Sequence, residues 1–256
     1  MRHLVRRLRA AKSLSLLLDY DGTLVPFAPS PDAAAPDDAL RAMLGALASR
    51  ARTKVTIVSG RDRDSLGRWL GDLPIEITAE HGLWRKRADE QTWSVRAAIS
   101  EEDITVSRAL LTKVTSGLGG MIERKRAGAA WHYRGIDVAP ETVDEIVARL
   151  EEGVTPLGFS VLRGACVVEI RPDGVDKSLA VQSAREDDPA AFIVAVGDDR
   201  TDEDMFRALP DGCVGVHVGD GETAAAVRVP DHLAVRELLA ALLAQDEHDE
   251  QAEHED

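Results

Sequence analysis

Leu14-Ser15-Leu16-Leu17-Leu18-Asp19-Tyr20-Asp21-Gly22-Thr23 decides the fold, because an apolar run stops abruptly at an acid. Five residues that are nearly all leucine read as a strand buried on both faces, as in a parallel sheet. Two further runs, Lys54–Val58 and Phe192–Val196, have the same character and the same abrupt polar or glycine ends. Helical patterns follow them at Asp37–Ser49, Arg63–Leu70 and Asp202–Leu209. This alternation predicts an α/β fold with right-handed crossovers. In such sheets functional residues gather beyond the carboxyl ends of the strands. The segments to inspect are therefore Asp19–Thr23, Ser59–Arg61 and Gly197–Asp204.

The middle of the chain has a different grammar. Glu101–Ser116 reads as a helix, followed by a hairpin of Met121–Lys125 and Ala130–Arg134 turning at Ala127-Gly128. Pro140–Glu151 reads as a second helix, followed by Phe159–Leu162 and Cys166–Ile170 turning at Arg163-Gly164. Glycine at each turn supplies the permissive backbone a hairpin needs. The predicted organisation is a discontinuous core of residues 1–83 and 174–244, interrupted by an α+β insert of residues 84–173. Residues 245–256 hold seven acids and no Lys or Arg, half of the chain's net charge of -14, and are expected to be disordered.

Composition excludes some functions. A body that is acidic even without the tail is a poor partner for nucleic acid, whose phosphates need a basic face. Cys166 and Cys213 lie far apart in apolar runs, without metal-ligand spacing, and are expected to be buried free thiols of a reducing compartment. The basic start Met1–Lys12 precedes too short an apolar run for a signal peptide, and no stretch is long enough to cross a bilayer. A soluble, cytoplasmic monomer is the expectation.

Asp19 and Asp21, two apart just beyond a strand, can turn toward one site, and Gly22 permits the tight bend. One carboxylate can attack phosphorus while the other handles the proton of the leaving oxygen. Carboxylates beside a phosphate require a cation, and Mg²⁺ suits oxygen ligands best. A plain loop of turn-forming residues would look similar in isolation. Gly197-Asp198-Asp199-Arg200-Thr201-Asp202-Glu203-Asp204 supplies more acids than a turn needs. Asp198 and Asp202 are candidate metal ligands with Asp199 in support, whereas Glu203 and Asp204 fit helix-start positions. Ser59 and the N–H groups around Gly60 can bind phosphate oxygens, although Ser59 would equally cap the helix that follows. Lys177, ahead of another helix, can offset the pooled negative charge.

Taken in order, these motifs resemble the haloacid dehalogenase superfamily of phosphatases. In finer pattern Leu18–Leu24, Val58-Ser59-Gly60-Arg61, Glu80-His81-Gly82 and Gly197–Phe206 resemble the trehalose-6-phosphate phosphatase family. The resemblance runs from about Leu14 to Leu243. It implies a Rossmann-like parallel sheet core with an inserted α+β cap, and hydrolysis of a sugar phosphate through an aspartyl-phosphate intermediate. It implies that Asp19 is the nucleophile and Asp21 the general acid, then base. It assigns Mg²⁺ to Asp19, the Asp21 carbonyl and Asp198, with Asp202 supporting, and assigns the phosphate to Ser59, Gly60 and Lys177. Its sugar-facing cap residues correspond to Glu123, Lys125, His132, Arg134 and Glu169, which without the resemblance would fit a solvated hairpin face. One departure is Ser178, where the family usually places Gly. Phosphatases for sucrose 6-phosphate, glucosylglycerol phosphate or a pseudo-disaccharide phosphate would share the core motifs. A receiver-type regulatory module would lack both the insert and an acid at position 21.

Overall fold

A computed structural model describes residues 2–28, 31–97 and 100–244. The acidic segment 245–256, expected to be disordered, lies outside the described residues.

The chain begins with α1 (Arg2–Ala10), which buries Leu4, Val5 and Leu8, spaced as one helical face, and turns Arg2, Arg6 and Arg7 outward. Then come β1 (Leu14–Leu18), α2 (Asp38–Ser49), β2 (Thr53–Val58), α3 (Arg63–Leu70), β3 (Glu76–Ala79), β4 (Trp84–Lys86) and β5 (Ser94–Val95). A second unit follows with α4 (Glu101–Val114), β6 (Met121–Lys125), β7 (Gly128–His132), α5 (Pro140–Val154), β8 (Phe159–Gly164) and β9 (Val167–Pro172). The chain returns through α6 (Ser178–Asp187), β10 (Phe192–Gly197), α7 (Glu203–Ala208), β11 (Val214–Val218), β12 (Val227–Val229) and α8 (His232–Leu243). No helix among the described residues is long and apolar enough to cross a membrane.

The large sheet runs β12-β11-β10-β1-β2-β3-β4-β5, parallel from β12 to β3 and antiparallel at β4 and β5. This is the Rossmann-like parallel core expected from the sequence. Strand periodicity sorts β1 between two hydrophobic layers. Leu16, Leu18 and Tyr20 pack into one layer with α1, α2, α3 and α8, while Leu17 packs into the other with α6 and α7. Each fully buried leucine contributes on the order of 1.5–3 kcal/mol, so a one-residue slip of β1 would be expensive. Asp19 keeps the parity of Leu17 and so emerges on the α6–α7 side. The chain winds outward in both directions from β1, which makes the gap between the β1 and β10 ends the topological switch point.

The second unit is an antiparallel sheet, β6-β7-β9-β8, whose apolar face packs on α4 and α5 around Trp131, Phe159 and Ile170. Three expectations change here. The insert was placed from residue 84, but β4 and β5 extend the large sheet, so the helix-and-hairpin unit starts at α4. Both hairpin turns are displaced, to Arg126-Ala127 and Ala165-Cys166. Gly128 lies within β7 against the Ile170 carbonyl, where a side chain would collide. Both cysteines are free but only half-buried. Cys166 takes the turn position at φ 61°, and Cys213 precedes β11, its sulfur accepting a hydrogen bond from the Ile193 N–H at 3.3 Å.

Candidate active site

Asp19 extends the sheet by one residue, its N–H bonded to the Val196 carbonyl at 2.9 Å. That bond fixes the carboxylate between the ends of β1 and β10. The next residue, Tyr20, turns into the core, where its hydroxyl donates to the Ala34 carbonyl at 2.7 Å and its ring stacks on Trp69. Gly22 then closes the turn at φ 84°. A Cβ there would sit 2.3 Å from the Asp198 carboxylate, so both the backbone and the space require glycine.

Lys177 is almost completely buried, and its ammonium donates at 2.7 Å to Asp19 Oδ1 and at 2.7 Å to Asp202 Oδ1. It stands at the start of α6, where Ser178 opens the helix with its N–H on the Asp176 carboxylate at 2.8 Å. Serine in place of glycine therefore leaves this helix start intact. Burial alone would lower the Lys177 amine. Asp19 and Asp202 outweigh it and hold the amine well above its ordinary value.

Asp202 occupies the N-cap position of α7 but does not cap it. Its Oδ2 instead accepts the N–H groups of Asp198 at 3.0 Å and Asp199 at 3.1 Å, which folds the loop after β10 around one carboxylate. Asp199 points into the same loop and accepts from Thr201 N at 2.8 Å and Thr201 Oγ1 at 2.7 Å. Burial would raise it, but Lys177 and these hydrogen bonds bring it down to about 2. Glu203 lies in the first turn of α7, where the sequence placed it, and its carboxylate also accepts the Ala224 N–H at 2.9 Å, tying down the loop before β12.

One carboxylate oxygen each from Asp19, Asp198 and Asp202 lie within 4.8 Å of one another. Burial, opposed by Lys177 and reinforced by Asp198 and Asp199, pushes Asp19 up to about 7. Burial and then Asp199 and Asp202 do the same to Asp198, also to about 7. One lysine is thus too little positive charge for the cluster. Asp19 Oδ2 is buried without a hydrogen-bond partner among the described residues. Hard oxygen donors, surplus negative charge and an unused buried carboxylate oxygen together fit a magnesium ion.

Asp21 is held differently. Arg61 grips both its oxygens, Nε at 2.6 Å and Nη2 at 2.7 Å, while the guanidinium lies over Trp69 and Tyr20. Ser59 is buried, and its hydroxyl accepts the Arg61 N–H at 3.1 Å. The cap of α3 is Asp62, bonded to Ser65 N at 2.9 Å, so the helix-cap alternative for Ser59 does not hold. The sequence left Arg61 without a role. The available signal was its position directly after Ser59-Gly60.

In the second unit Glu123, Lys125, His132 and Glu169 share one face of the sheet. They are paired with each other, Lys125 to Glu169 at 2.7 Å and His132 to Glu123 at 2.8 Å. Lys125 also donates to the Gly60 carbonyl at 3.2 Å, which brings this face over the site. Arg134 does not join them: β7 ends at His132, and Arg134 is exposed in the following turn.

The family model described as Trehalose-phosphatase matches residues 17–225. The chain is 40% identical over 235 residues to a bifunctional trehalose-6-phosphate synthase/phosphatase of Thermoproteus tenax, covering 91% of this chain and 32% of that protein. It is 37% identical over 213 residues to a trehalose-phosphatase of Schizosaccharomyces pombe, covering 78% of this chain and 26% of that one. The chain thus spans about a third or less of the length of these curated relatives. The solved C-terminal domain of the C. albicans trehalose-6-phosphate phosphatase superimposes with a TM-score of 0.85 at 28% identity, covering 94% of this chain and 96% of that one.

Proposed function

The chain belongs to the trehalose-phosphatase family, and on that premise we propose that it hydrolyses trehalose 6-phosphate to trehalose and inorganic phosphate. The observation that carries the proposal is the buried Lys177–Asp19 contact at 2.7 Å, beside two more carboxylates at the switch point. Lys177 fixes the Asp19 carboxylate through Oδ1 and holds it for attack on phosphorus. The P–O bond to the sugar breaks as the Asp19–phosphate bond forms, and Asp21 gives the departing sugar oxygen its proton. Asp21 then takes a proton from the water that hydrolyses the aspartyl phosphate, releasing phosphate and restoring Asp19. Arg61 holds both Asp21 oxygens, so one of them must leave the guanidinium for Asp21 to carry that proton. Ser59, Gly60 N–H and Lys177 hold the phosphate oxygens. Asp19, Asp198 and the Asp21 carbonyl, with Asp202 behind them, would hold Mg²⁺, whose charge offsets repulsion between carboxylates and phosphate. Glu123, Lys125, His132 and Glu169 face the sugar and exclude bulk water. The same proposal has the chain act as a cytoplasmic monomer on a small anion, not on nucleic acid or at a membrane.

The test is phosphate release from a panel of sugar phosphates, with Mg²⁺ and with chelator, beside Asp19→Asn. Preference for trehalose 6-phosphate that vanishes with chelator and in the variant is the expected result. Preference for another sugar phosphate would overturn the substrate and keep the mechanism. Near-normal turnover by Asp19→Asn would overturn the mechanism.

A further inference from the structure

The motif Glu80-His81-Gly82 has no part in the chemistry above, yet it occupies the point where the chain leaves β3. Three successive residues there have positive φ: Glu80 at 48°, His81 at 56° and Gly82 at 116°. For the first two this is a costly backbone that only surrounding structure can enforce. The enforcement comes from the phosphate-binding loop. Glu80 N–H donates to the Arg61 carbonyl at 3.0 Å, and His81 N–H donates to the Ser59 carbonyl at 3.0 Å.

The His81 side chain is buried between that loop and the second unit. On one side it lies directly against Gly60, where a Cβ would come within 2.4 Å of Nε2. On the other, Nε2 is 3.5 Å from Glu169, which also takes the Lys125 ammonium at 2.7 Å. Lys125 completes the circuit through its bond to the Gly60 carbonyl. The inserted unit therefore touches the loop at Gly60 by two routes, directly through Lys125 and through the imidazole. Packing alone does not account for a histidine. Nδ1 is buried without a partner among the described residues, and a purely apolar ring would fill the space without stranding it.

We propose that His81 is a positioning residue that couples seating of Glu169 and Lys125 to the placement of Ser59 and Gly60 around the substrate phosphate. The proposal rests on the reading of Ser59 and Gly60 as phosphate-binding residues. With the inserted unit seated, Glu169 holds the ring against Gly60 and the loop is set. A substrate too small to engage the unit gains nothing from this arrangement.

The experiment compares His81→Asn, Glu169→Gln and the double variant with the parent protein, measuring kcat and KM with Mg²⁺ on trehalose 6-phosphate and on p-nitrophenyl phosphate. Asparagine tolerates the left-handed backbone but cannot reach both neighbours, and thermal melts check the fold. On the sugar phosphate His81→Asn should lose about ten-fold or more in kcat beyond its loss on the aryl phosphate, as small misplacements of a binding loop do. The double variant should be no worse on the sugar phosphate than the weaker single one, because both changes break one connection. Equal losses on the two substrates, no loss on the sugar phosphate, or multiplying losses in the double variant would each overturn the proposal. If His81→Asn melts early, His81→Gly, which suits the left-handed backbone and removes the imidazole, supplies the two-substrate comparison with the same outcomes. A parent protein active on a different sugar phosphate would defeat only the substrate assignment, and the comparison would use that ester. Inactivity on every phosphate ester would defeat the phosphatase reading and this proposal together.

Discussion

Replacing Lys177 by methionine keeps most of the side chain's volume and removes the cluster's buried positive charge. Its ammonium makes 2.7 Å bonds to Asp19 and Asp202, both of which are buried. Removing one member of a buried ion pair costs about 3–5 kcal/mol, because the partner stays behind uncompensated. For a chain of this size that corresponds to a fall in Tm of about 6–20 °C. The folded-state pKa of Lys177 is raised, so its own contribution is complete at every pH below its unfolded value of about 10. The pH dependence therefore comes from its partners. Asp19 is raised to about 7 by burial, so its carboxylate needs the ammonium above that pH and is increasingly protonated below it. With chelator present, the Tm deficit of Lys177→Met should be large at about pH 8 and shrink toward about pH 5 as protons replace the lost charge. On the proposed function, phosphate release with Mg²⁺ should fall by about 10²–10³ in kcat, the usual cost of losing one fixed donor at a reacting centre. The assay is a set of melts across pH for parent and variant. An equal deficit at both ends would assign the loss to the lysine stem and refute the charge argument, as would a deficit under about 2 °C at the alkaline end.

Gly22→Ala places a Cβ 2.3 Å from the Asp198 carboxylate on a backbone at φ 84°; it should destabilise the protein by about 1–2 kcal/mol and weaken Mg²⁺ binding, read by denaturant midpoint and metal titration. Mg²⁺ should raise the Tm of chelator-stripped protein more at about pH 8 than at about pH 5.5, because Asp19 and Asp198, each raised to about 7 by burial, hold protons that the ion must displace below that pH. A pH-independent gain would place the ion elsewhere.

The parallel core was legible because its strands are written as uninterrupted apolar runs. Leu14–Leu18 and Phe192–Val196 admit hardly any other placement, and the acids that end them fall at the switch point by topology alone. The edges were not legible for the same reason. β4 pairs toward the rim of the sheet and carries Arg85 and Lys86, whose burial depends on partners on other elements, Glu76 and Asp187 for Arg85 and the Gly71 carbonyl for Lys86. Polar residues in a short strand carry no hydrophobic signal, so the sheet's extension looked like the start of the insert. In the hairpins, glycine marked the wrong residues, since Gly128 is required by a close carbonyl and the turn just before it is made by Arg126-Ala127. At the site, Asp19, Lys177, Asp198 and Asp202 were legible from residue type and order. Arg61 and His81 were not, because each acts through a partner that only the folded chain brings near.

The pairing of the four cap residues among themselves bears on how one sugar could be told from another. Lys125 and Glu169 are nine-tenths buried and already satisfied, while Glu123 and His132 form a pair that is over a third exposed. Hydroxyls arriving at this face therefore compete with existing protein bonds instead of filling empty positions. A ligand with hydroxyls correctly placed exchanges one set of hydrogen bonds for another at little net change. A ligand that parts the buried pair without supplying a hydroxyl in its place leaves a buried charge or carboxylate short of a partner, at a cost of about 1–3 kcal/mol or more. On the proposed function, discrimination would come less from attraction to trehalose 6-phosphate than from the penalty other esters incur at Lys125 and Glu169. The exposed Glu123–His132 pair can rearrange at low cost, so it should contribute to affinity while the buried pair sets selectivity.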